Sequence, residues 1–175
     1  MADVNFSPPV GDALTPSDHE LPYYEIIELL FFAYRDFVAD ADQLLETYGF
    51  GRAHHRVLHF VDRNPGLTVA ELLDILKITK QSLGRVLKEL IDAGFITQRE
   101  GEEDRRQRLL ATTAKGHALA HDLAALQSAR IAAALEKTGP GGLAVATRFL
   151  FALVDQPERP AVERLVRLGS HREDP

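Results

Sequence analysis

Cysteine is absent from the 175 residues, which excludes disulfide frameworks, thiolate metal sites, cysteine nucleophiles and thiol redox switches. Long apolar runs are absent as well: no stretch approaches the roughly 20 residues that a membrane-spanning helix needs. The first 20 residues contain no Lys or Arg and no apolar core segment, so a secretory signal is not expected. No His-Glu-x-x-His pair, glycine-rich phosphate loop or nucleophile elbow occurs, and a metal hydrolase would need a third ligand and a general base that no motif supplies. These gaps point to a cytoplasmic protein that neither spans a membrane nor acts as an enzyme.

What is present is an ordinary globular balance, 45% hydrophobic and 26% charged, in a length that suits one domain with long helical extensions. The net charge of −6 argues against a protein that coats nucleic acid indiscriminately. Its distribution is uneven. Residues 1–48 set one base, Arg35, against ten acids, whereas residues 77–115 hold nine bases and six acids. One locally basic stretch inside an acidic chain is the footprint expected where a single face meets phosphates.

Periodicity predicts helices almost throughout. Residues 1–20, with Pro8, Pro9, Gly11 and Pro16, read as an acidic arm, and residues 170–175 as a short tail. Apolar residues recur at helical spacing over 21–48, and their wide coverage suggests a helix buried on more than one side. A second helix is expected over 52–63, stopped by Asn64-Pro65-Gly66. Thr68 with Glu71 forms a capping-box signature, Lys77-Ile78 a short turn, and Thr79 a cap for a helix that ends at Ala93-Gly94. Residues 95–112 change character and predict a β-hairpin with a charged tip. Thr113 then caps a long helix to about Lys137, and a final helix is expected over 143–168, weakened at Gln156-Pro157 and Pro160.

A helix pair with a tight turn, followed by a hairpin with a basic tip, is a winged helix-turn-helix. The fold class is therefore mainly α (α+β), with the winged helix-turn-helix at 51–112, flanked by helices over 21–50 and 113–169. The second helix of such a pair fits the major groove with its first residues at base edges. Here those residues are Thr79, Lys80, Gln81, Ser82 and Arg85, with Lys88 a turn later. Gln and Arg suit bidentate base contacts, while Thr, Ser and Lys suit phosphates. The wing, residues 97–110, adds Arg105, Arg106 and Arg108.

From Leu58 through Gly116 the sequence resembles the MarR family of winged-helix transcription regulators. The matching segments are Leu67 to Leu72, Val86 to Ile96, and Glu103-Asp104-Arg105-Arg106; Asp104 and Arg106 meet the family's Asp-x-Arg wing motif, and Thr113 and Gly116 its Thr-x-x-Gly helix start. The resemblance implies a homodimer built from the N- and C-terminal helices, binding pseudo-palindromic double-stranded DNA, more as a repressor than an activator. It also implies that Arg106 enters the minor groove while Asp104 braces the wing, which fits the negative potential of a narrow groove. Two positions depart from the family. Gly84 stands where Ser or Thr is common, and Thr112 where Leu often precedes the capping Thr.

Seven histidines include two pairs at i,i+4 spacing, His55/His59 and His117/His121, each able to present two ligands on one helix face. A zinc-type metal-responsive regulator is the alternative they raise, although no metal is required by the first reading. A small aromatic effector bound among Tyr48, Phe50, His55 and His59 is the other expectation. A winged-helix module that binds protein instead of DNA is a third possibility that the overall acidity permits.

Overall fold

The computed structural model describes residues 21–101 and 107–170, with side chains described as far as Val166. The chain divides into two compact units, residues 1–36 and 37–175. Helix α1 (Tyr24–Glu46) belongs to both. In the first unit its Ile26, Ile27, Leu29, Leu30, Phe31 and Phe32 are all exposed.

In the second unit the rest of α1 buries Val38, Ala41 and Leu45, a stripe at three- and four-residue spacing. There follow α2 (Arg52–Arg63), β1 (Leu67–Thr68), α3 (Val69–Leu76), α4 (Lys80–Asp92), β2 (Ile96–Glu100), β3 (Arg108–Thr112) and α5 (Ala114–Thr138). The chain continues through α6 (Gly142–Leu153), a 3-10 turn at Gln156–Glu158 and α7 (Arg159–Ser170). One core joins Ala41 and Leu45 to Val57, Leu58 and Val61 of α2, Leu72 and Leu76 of α3, and Leu83, Val86, Leu87 and Leu90 of α4. Phe95, Ile96, Leu110, Leu119 and Leu123 close it from the hairpin and α5.

Local chemistry sets the boundaries. The Thr68 hydroxyl accepts the Glu71 N–H at 3.2 Å, and the Glu71 carboxylate accepts the Thr68 N–H at 2.8 Å, completing the expected box. Thr79 caps α4 by accepting the Ser82 N–H. Thr113 caps α5 by accepting the Gly116 N–H at 3.1 Å and donates to the Gly94 carbonyl at 2.7 Å. A Cβ on Gly116 would lie 1.9 Å from the Phe95 carbonyl oxygen, so glycine lets the first turn of α5 rest on the hairpin's backbone.

Two features differ from the sequence reading. The sheet has three antiparallel strands in the order β1-β3-β2, the extra one being Leu67-Thr68. Two residues carry no alternation that could announce a strand, and Leu67 is placed by pairing with Leu110. The expected final helix also divides into α6 and α7. Pro157 lacks the N–H that would continue the ladder. Arg159 instead donates to the carbonyls of Val154, at 2.9 Å, and Ala152, at 2.8 Å, satisfying groups that the break leaves open.

Candidate nucleic-acid interface

The α3–α4 pair is braced before any ligand enters. Lys77 adopts a left-handed conformation, φ +51°, to turn the chain between the helices, and Arg56 of α2 donates to the Leu76 carbonyl at 3.0 Å to close the end of α3. Helix α4 buries Leu83, Val86, Leu87 and Leu90 and turns Gln81, Ser82, Arg85, Lys88 and Asp92 to solvent. That exposed stripe repeats every three or four residues, as a groove-reading face must.

Not every candidate on it is equally available. Thr79 Oγ1 donates to Ser82 Oγ at 2.9 Å, so the Thr79 hydroxyl is committed to the cap while the Ser82 hydroxyl proton stays free to donate. Lys88 is held in an ion pair by Asp92 one turn on, which raises its pKa first through the hydrogen bond and then through the charge. Among the described residues, Lys80 and Arg85 have no ion-pair partner. These two supply the unneutralised positive charge at the start of α4.

On the wing, Arg108 donates to Glu100 across the strand pair at 2.8 Å, both side chains being exposed. Its charge is shared with a neighbour, which sequence spacing alone did not reveal. Arg99 on β2 is an exposed cation that the sequence reading passed over; residue-by-residue alternation in the hairpin would have found it. Asp104, Arg105 and Arg106 lie outside the described residues.

Sequence reasoning also missed His54. It is buried beneath α4, with Nδ1 accepting the Gly51 N–H at 3.1 Å and Nε2 lying 2.6 Å from Glu89 Oε2. Its ring stacks on Phe50 at 4.6 Å, and Phe50 in turn meets Phe95 edge-on at 5.1 Å.

The MarR family model matches residues 48–107, the span that holds α2, the helix pair and the start of the wing. The HTH-type transcriptional regulator PetP of Rhodobacter capsulatus is 46% identical over 138 residues, covering 79% of this chain and 81% of PetP. The chain belongs to the MarR family. Among solved structures, Streptococcus pneumoniae FabT in complex with DNA superposes with a TM-score of 0.67 at 19% identity, covering 75% of this chain and 94% of FabT. A MarR family transcription regulator, SP03579, gives a TM-score of 0.64 at 23% identity, covering 74% of this chain and 86% of that one. As a member of this family the chain is a helix-turn-helix transcription regulator, not an enzyme. No helix among its described residues is long and apolar enough to cross a membrane.

Within this MarR-family fold the effector and metal expectations meet a particular geometry. Tyr48 and Phe50 pack with Phe95, at 5.5 and 5.1 Å between ring centres, while His55 and His59 sit on a flank of α2 turned roughly 100° or more from His54. Of the four residues named for an aromatic effector, Tyr48 and Phe50 stack on one another at 6.2 Å between ring centres. Burial, reinforced by the charge of His59, lowers the pKa of His55. His117 Nδ1 lies 2.9 Å from Asp62, whose carboxylate also accepts the Thr112 hydroxyl at 2.8 Å, and His121 is exposed. Among the described residues no group of three or more metal-ligating side chains gathers. A cleft of about 610 Å³ opens elsewhere, between the end of α2, β1, α3 and α7, with Arg63 and Arg164 over Leu67, Ile75 and Leu165.

Proposed function

We propose that this MarR-family chain is a homodimeric repressor that seats α4 in the major groove of a pseudo-palindromic duplex and lays its wing along the flank. The carrying observation is the exposed stripe of α4. Gln81, Ser82, Arg85 and Lys88 face solvent from a helix whose opposite side is locked into the core, and Lys80 and Arg85 carry charge that no described residue neutralises. FabT, which shares the fold, was solved with DNA. Arg85 and Gln81 read bases, Lys80 and Ser82 meet phosphates, and Lys88 exchanges Asp92 for a phosphate on binding.

A second copy covers the apolar side chains that each unit leaves in water. Phe31 and Phe32 on α1, and Phe149, Leu150 and Leu153 on α6, are too much exposed apolar bulk for a soluble monomer. Relief by a small ligand belongs to the same reading. Glu158, beside α7, holds Lys77 in the helix-turn-helix turn at 3.2 Å, and the α7 cleft lies next to that contact. An occupant that shifted α7 would pull on the turn just ahead of α4. Selection of bound duplexes from a random pool tests the reading. A two-fold symmetric consensus supports it, and recovery of no consensus refutes it.

A further inference from the structure

We infer that His54 is a positioning residue that sets the rotation of α4 about its axis, and with it base discrimination. The inference rests on reading α4 as the recognition helix.

His54 is the one buried polar side chain among the described residues, and both of its ring nitrogens are used. Nδ1 accepts the Gly51 N–H, so it carries no proton. Nε2 therefore bears the proton and donates it to Glu89 Oε2 across 2.6 Å. The ring cannot swing, because it is stacked on Phe50 with only 12° between the planes. A rigid donor fixed to the start of α2 thus holds one point on α4.

That point is well chosen. Glu89 is four residues after Arg85, hence next to it along the helix surface, and its side chain is about half exposed. The other side chains through which α4 meets the core are apolar: Leu83, Val86, Leu87 and Leu90, with Ile91 beside them. Apolar packing fixes depth well but rotation less sharply, whereas a short charge-assisted hydrogen bond is directional. The bond also draws a carboxylate toward α2 and away from the face where Arg85 would meet the duplex. A freed Glu89 would stand beside Arg85 and repel phosphates.

Three variants test this: His54→Phe, which keeps an aromatic ring to stack on Phe50 but has no ring nitrogen; Glu89→Ala, which touches a half-exposed side chain and so leaves the core intact; and Glu89→Gln, which keeps an acceptor oxygen for Nε2–H. The quantity read is the ratio of affinities for the selected operator and for a scrambled duplex, with melting temperature measured alongside. His54→Phe and Glu89→Ala should each lower the ratio roughly tenfold, as expected for one lost hydrogen bond to a charged group, and the double variant should lower it no further. Glu89→Gln should restore most of it. Unchanged ratios in both His54→Phe and Glu89→Ala overturn the inference, as does an equal loss on both duplexes that merely follows a lower melting temperature. A wild-type chain that prefers no duplex overturns instead the reading of α4 on which the inference rests.

Discussion

Replacing Gly116 with alanine should destabilise the fold even though alanine is the better helix former. The new Cβ would stand 1.9 Å from the Phe95 carbonyl oxygen, 2.9 Å from its carbon and 3.3 Å from its Cα. Ordinary contact begins near 3.4 Å, so α5 and the hairpin backbone would have to part by about 1.5 Å. That backbone is pinned, because Phe95 donates to Leu90 at 2.8 Å and accepts from Thr113 at 3.0 Å. Helix α5 must move, and with it Leu119 and Leu123, which are nearly or fully buried. Overpacking of this kind costs roughly 1–3 kcal/mol. A weakened Thr113 tie adds about 1 kcal/mol. The gain in helix propensity returns about 1 kcal/mol. The net loss is then roughly 1–3 kcal/mol, or about 2–12 °C in melting temperature for a chain of this size. Gly84→Ala is the matched control, since a Cβ there meets nothing within 4 Å. It should raise the melting temperature by a few degrees, reflecting about 1 kcal/mol of helix propensity. Calorimetry on both variants decides the matter. A Gly116→Ala protein that melts at or above the wild type would refute the close-approach argument.

Gly84→Ala should also weaken operator binding while stabilising the fold, if α4 brings its backbone near the duplex at this position; unaltered affinity would remove that role from Gly84. Thr68→Ala should cost about 1 kcal/mol through the lost cap. It should also remove part of the acid dependence: hydrogen bonds from Thr68 lower the pKa of Glu71, so that contribution is present above the ordinary carboxylate range and is lost as pH falls through the lowered value. Melting curves of both proteins from about pH 7 to pH 3 would show it as converging midpoints at the acid end. The lowered pKa of His55 has a parallel sign, with stability falling as pH drops below about 6.5, and His55→Gln should flatten that slope. Phe149→Glu with Leu150→Glu should convert a dimer to monomer in sedimentation at micromolar concentration; a wild-type monomer would remove the dimer from the account.

Much of this fold could be read from local signals. Thr68, Thr79 and Thr113 announce three helix starts because a hydroxyl followed three residues later by a free N–H is a local arrangement. Gly94, at φ +75°, marks the end of α4 for an equally local reason. Features set by distant partners were not legible. Strand β1 exists because Leu110 is opposite it, and the Asp62–Thr112–His117 cluster joins positions separated by 50 and 55 residues. The candidate site divides in the same way. The exposed stripe of α4 follows from helical spacing, but the pairing of Arg108 with Glu100 and the anchoring of Glu89 by His54 depend on tertiary approach. His54 was hidden in a run of histidines whose i,i+4 spacing drew attention to its neighbours.

The central claim is that α4 reads duplex DNA through Arg85 while Lys80 supplies charge. Equilibrium binding of wild type, Arg85→Ala and Lys80→Ala to the selected operator and its single-base variants, over a range of salt, tests it most directly. Arg85→Ala should lose roughly 1–3 kcal/mol on the operator and relax preference at one base position. Lys80→Ala should weaken all duplexes about equally and lower the salt slope by about one. Unchanged affinity and base preference for Arg85→Ala would contradict the placement of α4 in the groove.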